Sequence, residues 1–392
     1  MDIKTIREDT PTTSSLIHFN NAGAALMPLL VQGALKSYLG SESTYGGYET
    51  ADRFQSELDA FYSVAAKLLG AEKDEIAFAH SATDAWTRVF FSLPWQPGDV
   101  ILTGNSEYAS NYIAFLQAHK RFGVEVQVIE DAPEGGISVS ALERAMRPEV
   151  KLIALTHMPT NGGLVNPAEA VGALAKAYGV LYLLDACQSV GQYPLEVSKL
   201  GCDMLTGTGR KYLRGPRGSG FLYVSRAVYQ KHEPFLLDLF SAEWTGKDSY
   251  KRRPDARAFE MFERNFAGQY GLMKAMQYAL DLGLPNIWTR VQSLAQELRE
   301  GLGELDGVQV MDVGPNLSGI VSVKVDHKSI MPLMQALRDQ RINTSRIFSS
   351  GTLLDMKNRN LDELLRVSVH YYNTSEEISR FLDILKSLLQ PS

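Results

Sequence analysis

Apolar residues between positions 75 and 224 form short continuous runs that alternate with stretches of helical spacing. The runs predict seven strands, at Glu75–Ala79, Val100–Thr103, Val124–Ile129, Leu152–Thr156, Val180–Asp185, Met204–Thr206 and Phe221–Val224. The spaced stretches predict helices at Asp84–Ser92, Asn111–Arg121, Ala141–Met146 and Ala168–Tyr178. Apolar strands that alternate with helices are typical of a mainly parallel sheet covered on both faces. Such sheets bind ligands at the carboxyl ends of their strands, so the loops after these runs are the expected site.

The regions on either side follow different patterns. Residues 28–70 predict two helices separated by a polar loop at 41–48, and residues 226–265 show no clear period. The elements predicted after them are helices at 266–282, 287–305 and 329–340 and strands at 308–313, 320–325, 342–347 and 365–369. We therefore predict an N-terminal segment at 1–20, a large ligand-binding domain at 21–265 and a smaller α+β domain at 266–392.

Two short motifs predict where helices begin. Ser140 is followed three residues later by Glu143, and Thr374 is followed three residues later by Glu377. A hydroxyl and a carboxylate at this spacing can each accept a hydrogen bond from the other residue's backbone N–H at a helix start. We expect one helix to open at Ser140 and the last helix to open at Thr374.

Composition narrows the class of protein. The 392 residues are 45% hydrophobic and 21% charged, as in soluble globular proteins, and the net charge of −6 argues against a nucleic-acid partner. No apolar run approaches the roughly 20 residues that a membrane span requires. The two cysteines cannot form a disulfide framework, and the N-terminus has no signal-peptide core. The expectation is a cytoplasmic protein without a membrane or nucleic-acid partner.

Candidate chemistry is densest in the turn between the strands predicted at 204–206 and 221–224. Lys211 lies there among glycines, with Arg210, Arg214 and Arg217 close in sequence. Neighbouring cations disfavour a second ammonium ion, so they favour a lowered pKa for Lys211, in the range of about 7–8 that suits a nucleophile or base. One interpretation is a Schiff-base lysine, and the other is a solvated basic turn.

Further polar residues follow other strand ends. Asp185 ends the most apolar run, where a carboxylate is costly unless it meets a cation such as a protonated ring nitrogen; it also fits a helix cap or an arginine partner. Ser81, Ala82 and Thr83 precede a helix and offer backbone N–H groups to a phosphate, although an ordinary helix cap explains them too.

Several loop residues complete the pattern, although each one alone also fits a packing or turn role. Tyr108 can stack on a flat ring, and Thr160 or Asn161 can bond a ring hydroxyl. Thr208 and Arg210 add a hydroxyl and a charge for a phosphate. A phosphate site, a ring stacker, an aspartate and a lysine are what pyridoxal 5′-phosphate (PLP) requires: the lysine holds the aldehyde as an imine, and the aspartate keeps the ring nitrogen protonated.

Through these residues and the segments around them, the sequence resembles the class V aminotransferase family of fold type I PLP-dependent enzymes over residues 18–380. The matching pieces are His18–Gly23, His80–Asp84, Asp185–Ser189, Gly209–Lys211 with Gly215–Gly218, and Leu365–Thr374. Within the family it looks most similar to the branch of C–S lyases, isopenicillin N epimerase-like enzymes and hercynylcysteine sulfoxide lyase-like enzymes. The resemblance implies a large domain with a mainly parallel seven-stranded sheet, a smaller C-terminal domain and at least a homodimer.

The resemblance also implies a role for individual residues. Lys211 is the implied Schiff-base lysine, Asp185 the partner of the ring nitrogen and Gln188 the partner of the ring hydroxyl. The implied phosphate ligands are Ser81, Ala82, Thr83 and Thr208. Asn21 and Arg366 are implied as substrate-binding residues, with Arg366 on the substrate α-carboxylate because a planar guanidinium binds a carboxylate through two hydrogen bonds.

The chain departs from the family pattern in ways that bear on the reaction. Tyr108 and Arg210 occupy positions where the family often has histidine. Desulfurases carry a nucleophilic cysteine on a C-terminal loop, whereas this chain has no cysteine after Cys202. We therefore expect β-elimination on a cysteine-derived conjugate or sulfoxide, giving pyruvate and ammonia, rather than persulfide formation. An aminotransferase or epimerase on the same scaffold is the alternative, and a non-catalytic phospholigand-binding protein is the alternative from another class.

Overall fold

A computed structural model describes residues 1–326 and 329–390. The strands are β1 (Ile17–His18), β2 (Ile76–Ala79), β3 (Val100–Gly104), β4 (Glu125–Ile129), β5 (Val150–Thr156), β6 (Leu181–Asp185), β7 (Met204–Thr208), β8 (Gly220–Val224), β9 (Ala242–Gly246), β10 (Ser249–Arg252), β11 (Val308–Val310), β12 (Ile320–Val325), β13 (Ile342–Asn343), β14 (Ser345–Phe348) and β15 (Glu363–Ser368). The helices are α1 (Ile3–Glu8), α2 (Leu29–Tyr45), α3 (Gly47–Arg53), α4 (Gln55–Leu69), α5 (Ala82–Phe91), α6 (Ala109–Phe122), α7 (Val139–Arg144), α8 (Ala168–Tyr178), α9 (Val197–Leu200), α10 (Arg226–Lys231), α11 (Phe266–Leu282), α12 (Leu284–Gly303), α13 (Ile330–Asp339), α14 (Leu353–Asn358) and α15 (Ser375–Leu389).

The large sheet has seven strands in the order β2–β8–β7–β6–β5–β3–β4. Its strands run parallel except β8, which pairs antiparallel with both β2 and β7. The carboxyl ends of β5, β6 and β7 are therefore adjacent, with Thr156 paired to Asp185 and Asp185 paired to Thr206. This arrangement confirms the predicted mainly parallel seven-stranded sheet.

Both faces of this sheet are buried, which explains why its strands are apolar throughout. On β5, Ile153 and Leu155 belong to the core on one face, whereas Leu152 and Ala154 belong to the core on the other. Successive side chains of a strand point to opposite faces, so a strand covered by helices on both sides needs an apolar residue at every position.

A second sheet lies in the C-terminal part of the chain. It is antiparallel, with the order β11–β12–β15–β14. The N-terminal segment joins this part, because β1 pairs in parallel with β13 and Arg7 Nη1 lies 2.7 Å from Glu377 Oε1. Helix α11, the first of the predicted small domain, packs against α2 and α4. The boundaries at residues 20 and 265 remain predictions.

Two local predictions were wrong. The loop predicted at 41–48 is helical except for the break at Gly46, where a φ of 96° supplies the whole change of direction. Helix α7 does not open at Ser140: it begins at Val139, and the Ser138 hydroxyl accepts a hydrogen bond from Ala141 N at 3.2 Å. Serine at both positions gave the sequence two possible caps, and the structure uses the earlier one.

Two further regions differ from the sequence pattern. The strand predicted at 342–347 is divided into β13 and β14, which belong to different sheets. The region at 226–265 holds helix α10 and an antiparallel hairpin, β9 and β10. The hairpin strands are mostly exposed, so they lack the apolar alternation by which strands are recognised. Among the residues that the structure describes, no helix is both long and apolar enough to cross a membrane.

The predicted capping box of the last helix is confirmed. Its contribution to the stability of the protein can be tested by substitution. Thr374 Oγ1 accepts from Glu377 N and Glu377 Oε2 accepts from Thr374 N, both at 3.3 Å. We expect Thr374→Ala to lower the free energy of unfolding by about 1 kcal/mol, because α15 loses a hydroxyl that satisfies a free backbone N–H. Urea denaturation would measure the change, with the exposed Ser293→Ala on α12 as the control. Equal stability of the two variants would contradict the prediction.

Candidate active site

A cavity of about 260 Å³ lies at the carboxyl ends of the central strands, near the lower end of the range of about 300–1,000 Å³ for small-molecule sites. Ten candidate residues from the sequence line it: Ser81, Ala82, Thr83, Tyr108, Thr160, Asp185, Gln188, Thr208, Arg210 and Lys211. Other residues in its wall are His80, Thr156, Met158, Cys187, Arg217, Gly218 and Ser219. The structure thus brings together side chains from five separate loops.

Lys211 is buried in the turn between β7 and β8. Burial lowers the pKa of its ammonium group to about 8, and the nearby Arg210 and Arg366 act in the same direction while Cys187 and Asp185 oppose it. At a pKa of about 8, roughly one lysine in ten is the free amine at pH 7, against one in several thousand for an ordinary lysine. Its Nζ lies 6.0 Å from the centre of the Tyr108 ring.

One of the arginines near Lys211 in sequence, Arg214, has a different role from that expected. Arg214, predicted to crowd the lysine, is fully buried elsewhere: Nε donates to Leu26 O at 2.8 Å, Nη1 donates to the Tyr371 hydroxyl at 2.9 Å and Nη2 donates to the Thr10 hydroxyl. The prediction was wrong for Arg214 because sequence proximity does not show which side of a turn a side chain occupies.

Asp185 lies at the end of β6 with both carboxylate oxygens hydrogen-bonded. Oδ1 accepts from Cys187 N and Oδ2 accepts from Asn111 Nδ2, each at 2.9 Å. In the described part of the chain no basic side chain forms an ion pair with it. A buried carboxylate without a cation is costly, so the site favours a ligand that brings a positive charge.

The N-terminus of α5 forms one end of the cavity. Ser81 caps this helix, since its hydroxyl accepts from Asp84 N at 3.1 Å, and the chain continues through Ala82 and Thr83 along the cavity wall. A Cβ added at Gly220 would lie 3.0 Å from Ala82 N, so only glycine allows β8 to approach so closely. Free N–H groups at a helix start, with Thr208 and Arg210 also lining the cavity, suit a phosphate.

The two candidates for the ring hydroxyl, Thr160 and Asn161, lie on different sides of their turn. Thr160 lines the cavity, and its hydroxyl accepts from Gln188 Nε2 at 3.3 Å. Asn161 is not brought to the cavity, because its side-chain amide donates to Phe348 O at 3.3 Å. Gln188 Oε1 is buried and finds no partner among the described residues, so it is free to meet a ligand.

The two residues expected to bind substrate also differ. Asn21 is not brought to the cavity: it is fully buried, its Nδ2 donates to His18 O at 3.0 Å and Ser368 O at 2.7 Å, and its Oδ1 accepts from the Tyr372 hydroxyl. These bonds use its polar atoms to hold the loop after β1 to β15, which leaves Asn21 no group for a substrate.

Arg366, on β15, is buried beside the cavity-lining Thr160. Its Nη1 donates to Thr160 O at 3.1 Å and Oγ1 at 2.7 Å, and its Nη2 donates to Asn20 Oδ1 at 3.3 Å. Burial lowers the pKa of the guanidinium to about 10. Its Nε has no partner and no carboxylate pairs with it in the described part of the chain. A buried cation without a counter-charge favours an anionic ligand.

Comparison with known proteins identifies the family. The model of the aminotransferase class-V family matches residues 17–381. The chain belongs to this family. A probable cysteine desulfurase of Methanothermobacter thermautotrophicus is 28% identical, over 99% of this chain and 98% of its own length. One from Pyrococcus abyssi is 28% identical over 98% and 97%. The apo structure of a cysteine desulfurase from Thermococcus onnurineus superposes with a TM-score of 0.92 at 26% identity, covering 98% of each chain.

These matches confirm the prediction of a fold type I, PLP-dependent enzyme with PLP as its cofactor. Independently of these comparisons, the chemistry of the cavity residues fits PLP. The amine of Lys211 suits an aldehyde, the unpaired carboxylate of Asp185 suits a protonated ring nitrogen, and the start of α5 suits a phosphate. The individual assignments, including Tyr108, Gln188 and Arg210, remain proposals.

Sequence reasoning missed two residues of this class-V site. Glu107 and Asn111 are buried around the first turn of α6, and Asn111 bonds both Asp185 and Glu107. A signal was present, because Glu107 and Asn111 lie in the same polar segment as Tyr108, directly after a predicted strand. The hydrogen bond from Asn111 to Asp185 spans 74 positions of sequence, and no local pattern indicates it.

We expect sodium borohydride to fix the cofactor to Lys211. Reduction of the purified, cofactor-loaded enzyme followed by peptide mass spectrometry should locate the added mass on the peptide that contains Lys211. Lys211→Ala should release the cofactor on denaturation after the same treatment, because no other lysine of the described residues lines the cavity. A Lys199→Ala variant, altered on the exposed surface, is the matched control. Covalent cofactor in the Lys211→Ala protein would move the assignment to another lysine.

Proposed function

We propose that this enzyme is a PLP-dependent C–S lyase that catalyses β-elimination on a cysteine-derived conjugate or sulfoxide, giving pyruvate and ammonia. Curated relatives named as probable cysteine desulfurases support chemistry at a cysteine carbon–sulfur bond. The observation that favours elimination over persulfide formation is the placement of the cysteines.

Cys187 and Cys202 are the two cysteines of the chain. Cys202 is buried in the core, and burial raises the pKa of its thiol. Cys187 lines the cavity, but burial and the neighbouring Asp185 carboxylate raise the pKa of its thiol well above the usual value. The thiolate is the nucleophilic form of cysteine, so neither residue is suited to attack a substrate sulfur. Elimination needs no protein thiol.

The cofactor, when bound, withdraws electrons from the α-carbon of the amino acid and makes its proton acidic. Arg366 is suited to hold the substrate carboxylate through two parallel N–H donors. Once the substrate amine has replaced it on the cofactor, Lys211 Nζ, with a pKa of about 8, would be free to accept the α-proton near neutral pH. Asp185 would keep the proton on the ring nitrogen. When the Cβ–S bond breaks, the sulfur would leave with the electron pair and take the proton held by Lys211, and water would hydrolyse the released enamine to pyruvate and ammonia.

We also propose that the enzyme is at least a homodimer. The support is the family resemblance together with apolar side chains that are exposed in the single chain. Leu29, Leu30 and Leu39 on α2 are about half exposed, and Trp244 on the β9–β10 hairpin is 82% exposed. Apolar surface of this kind is typical of interaction sites.

The proposed reaction is tested by its product. Incubation with S-substituted cysteines and cysteine sulfoxides should release pyruvate and ammonia in equal amounts, without an added keto acid. Pyruvate formation should survive Cys187→Ala, because the thiol takes no part in elimination. Product formation that requires an acceptor keto acid would indicate an aminotransferase. Alanine with a protein-bound persulfide, lost in Cys187→Ala, would indicate a desulfurase.

Arg366 provides a second test. Arg366→Gln should raise the KM for the amino acid by about 10- to 100-fold, because hydrogen bonds to a charged group contribute about 1.5–3 kcal/mol. Steady-state kinetics would measure KM and kcat separately, with the exposed Arg338→Gln on α13 as the control. A KM equal to that of the unaltered enzyme would show that the carboxylate binds elsewhere.

A further inference from the structure

Two buried carboxylates are joined by one side-chain amide beside the cavity. Asn111 Nδ2 donates to Asp185 Oδ2 at 2.9 Å and to Glu107 Oε1 at 2.8 Å. Both of its N–H bonds therefore end on carboxylates, which fixes the orientation of the amide. All three side chains are at least nine-tenths buried.

Glu107 is held by further donors from its surroundings. Its oxygens accept from Tyr108 N at 2.8 Å, from the Thr156 hydroxyl and from the Thr103 hydroxyl at 3.2 Å. Among the described residues it forms no ion pair. Burial, and to a lesser degree the Asp185 carboxylate, raises the pKa of Glu107 to about 7 against the pull of these donors.

The other titratable groups around the pair come from neighbouring strands and turns. Tyr182, on β6, senses the charge of Glu107, and Cys187 and Lys211 sense that of Asp185. Each of these tyrosine and cysteine groups is neutral at physiological pH because burial raises its pKa. Among these groups, the charges that act on Asp185 are therefore those of Lys211, which lines the cavity, and of Glu107, which is ionised in roughly half of the molecules at pH 7.

We propose that Glu107 and Asn111 are positioning residues that set how firmly Asp185 holds the proton on the ring nitrogen of bound PLP. The proposal rests on the assignment of that nitrogen to Asp185. The two residues act in opposite directions. The negative charge of Glu107 increases the affinity of Asp185 for a cationic ring, because a like charge nearby disfavours an isolated carboxylate. The hydrogen bond from Asn111 stabilises that carboxylate, moderates its basicity and fixes its direction.

Because the two substitutions should shift the pKa of the ring nitrogen in opposite directions, the proposal can be tested without measuring catalytic activity. The ring nitrogen of ¹⁵N-labelled PLP, bound to the intact enzyme, reports its protonation through the ¹⁵N chemical shift during a pH titration. Glu107→Gln should lower the pKa of the ring nitrogen by about one unit, because the like charge is lost. Asn111→Ala removes a donor from both carboxylates. It should raise the pKa of the ring nitrogen, because the loss at Asp185, which meets the ring directly, outweighs the loss at the more distant Glu107.

The matched control is Glu260, another buried glutamate whose pKa burial raises to about 7, which hydrogen-bonds Tyr62 and Phe78 N rather than the cavity residues. Glu260→Gln should leave the pKa of the ring nitrogen unchanged.

Glu107→Asp keeps the negative charge, so its ring-nitrogen pKa should stay close to that of the unaltered enzyme. If Glu107→Gln does not fold, the Glu107→Asp and Asn111→Ala proteins still test the proposal. Shifts of the same sign in the Glu107→Gln and Asn111→Ala proteins, or a shift as large in Glu260→Gln, would overturn the proposal. If the pKa shifts follow the expected pattern but the enzyme forms no pyruvate, only the proposed reaction is overturned.

Discussion

The site depends on the burial of charged groups that form no ion pair with another side chain of the described residues. Asp185 has hydrogen bonds but no cation, and Arg366 has hydrogen bonds but no carboxylate, among the residues that the structure describes. Each of these groups costs free energy to desolvate, and the structure leaves that cost uncompensated until a ligand of opposite charge arrives. Under the proposed assignments, a cationic ring nitrogen beside Asp185 and a carboxylate beside Arg366 would supply both opposite charges.

Burial also decides the chemistry of Lys211. The sequence suggested that burial and neighbouring cations lower its pKa, and of the two causes removal from water is the larger. The outcome, a pKa of about 8, falls at the edge of the predicted range. Desolvation depends on packing from several elements at once, and a sequence read by its local neighbours shows only the charges.

The parts predictable from sequence share one property. Lys211, Asp185 and Ser81 directly follow or precede apolar strands, so the rule that strand ends gather at one edge places them together. Asn161 and Arg214 lie farther along loops that follow the same strands, and their side chains bond to Phe348 and to Leu26 instead. Glu107 and Asn111 could be noticed in the sequence as polar residues after a strand. Their proposed role depends on the hydrogen bond from Asn111 to Asp185, which only the folded sheet creates. Strand order and side-chain direction in turns are therefore the information that pattern alone does not supply.

Arg214 has a consequence for how the molecule is divided. Its guanidinium reaches Thr10 in the N-terminal segment, while its backbone belongs to the same turn as the reactive lysine. Removal of the first twenty residues would take one hydrogen-bond acceptor from the buried Arg214 guanidinium and expose its surroundings to solvent, three residues from Lys211. The leading segment is thus part of the packing around the turn that holds Lys211, across the domain boundary predicted at residue 20.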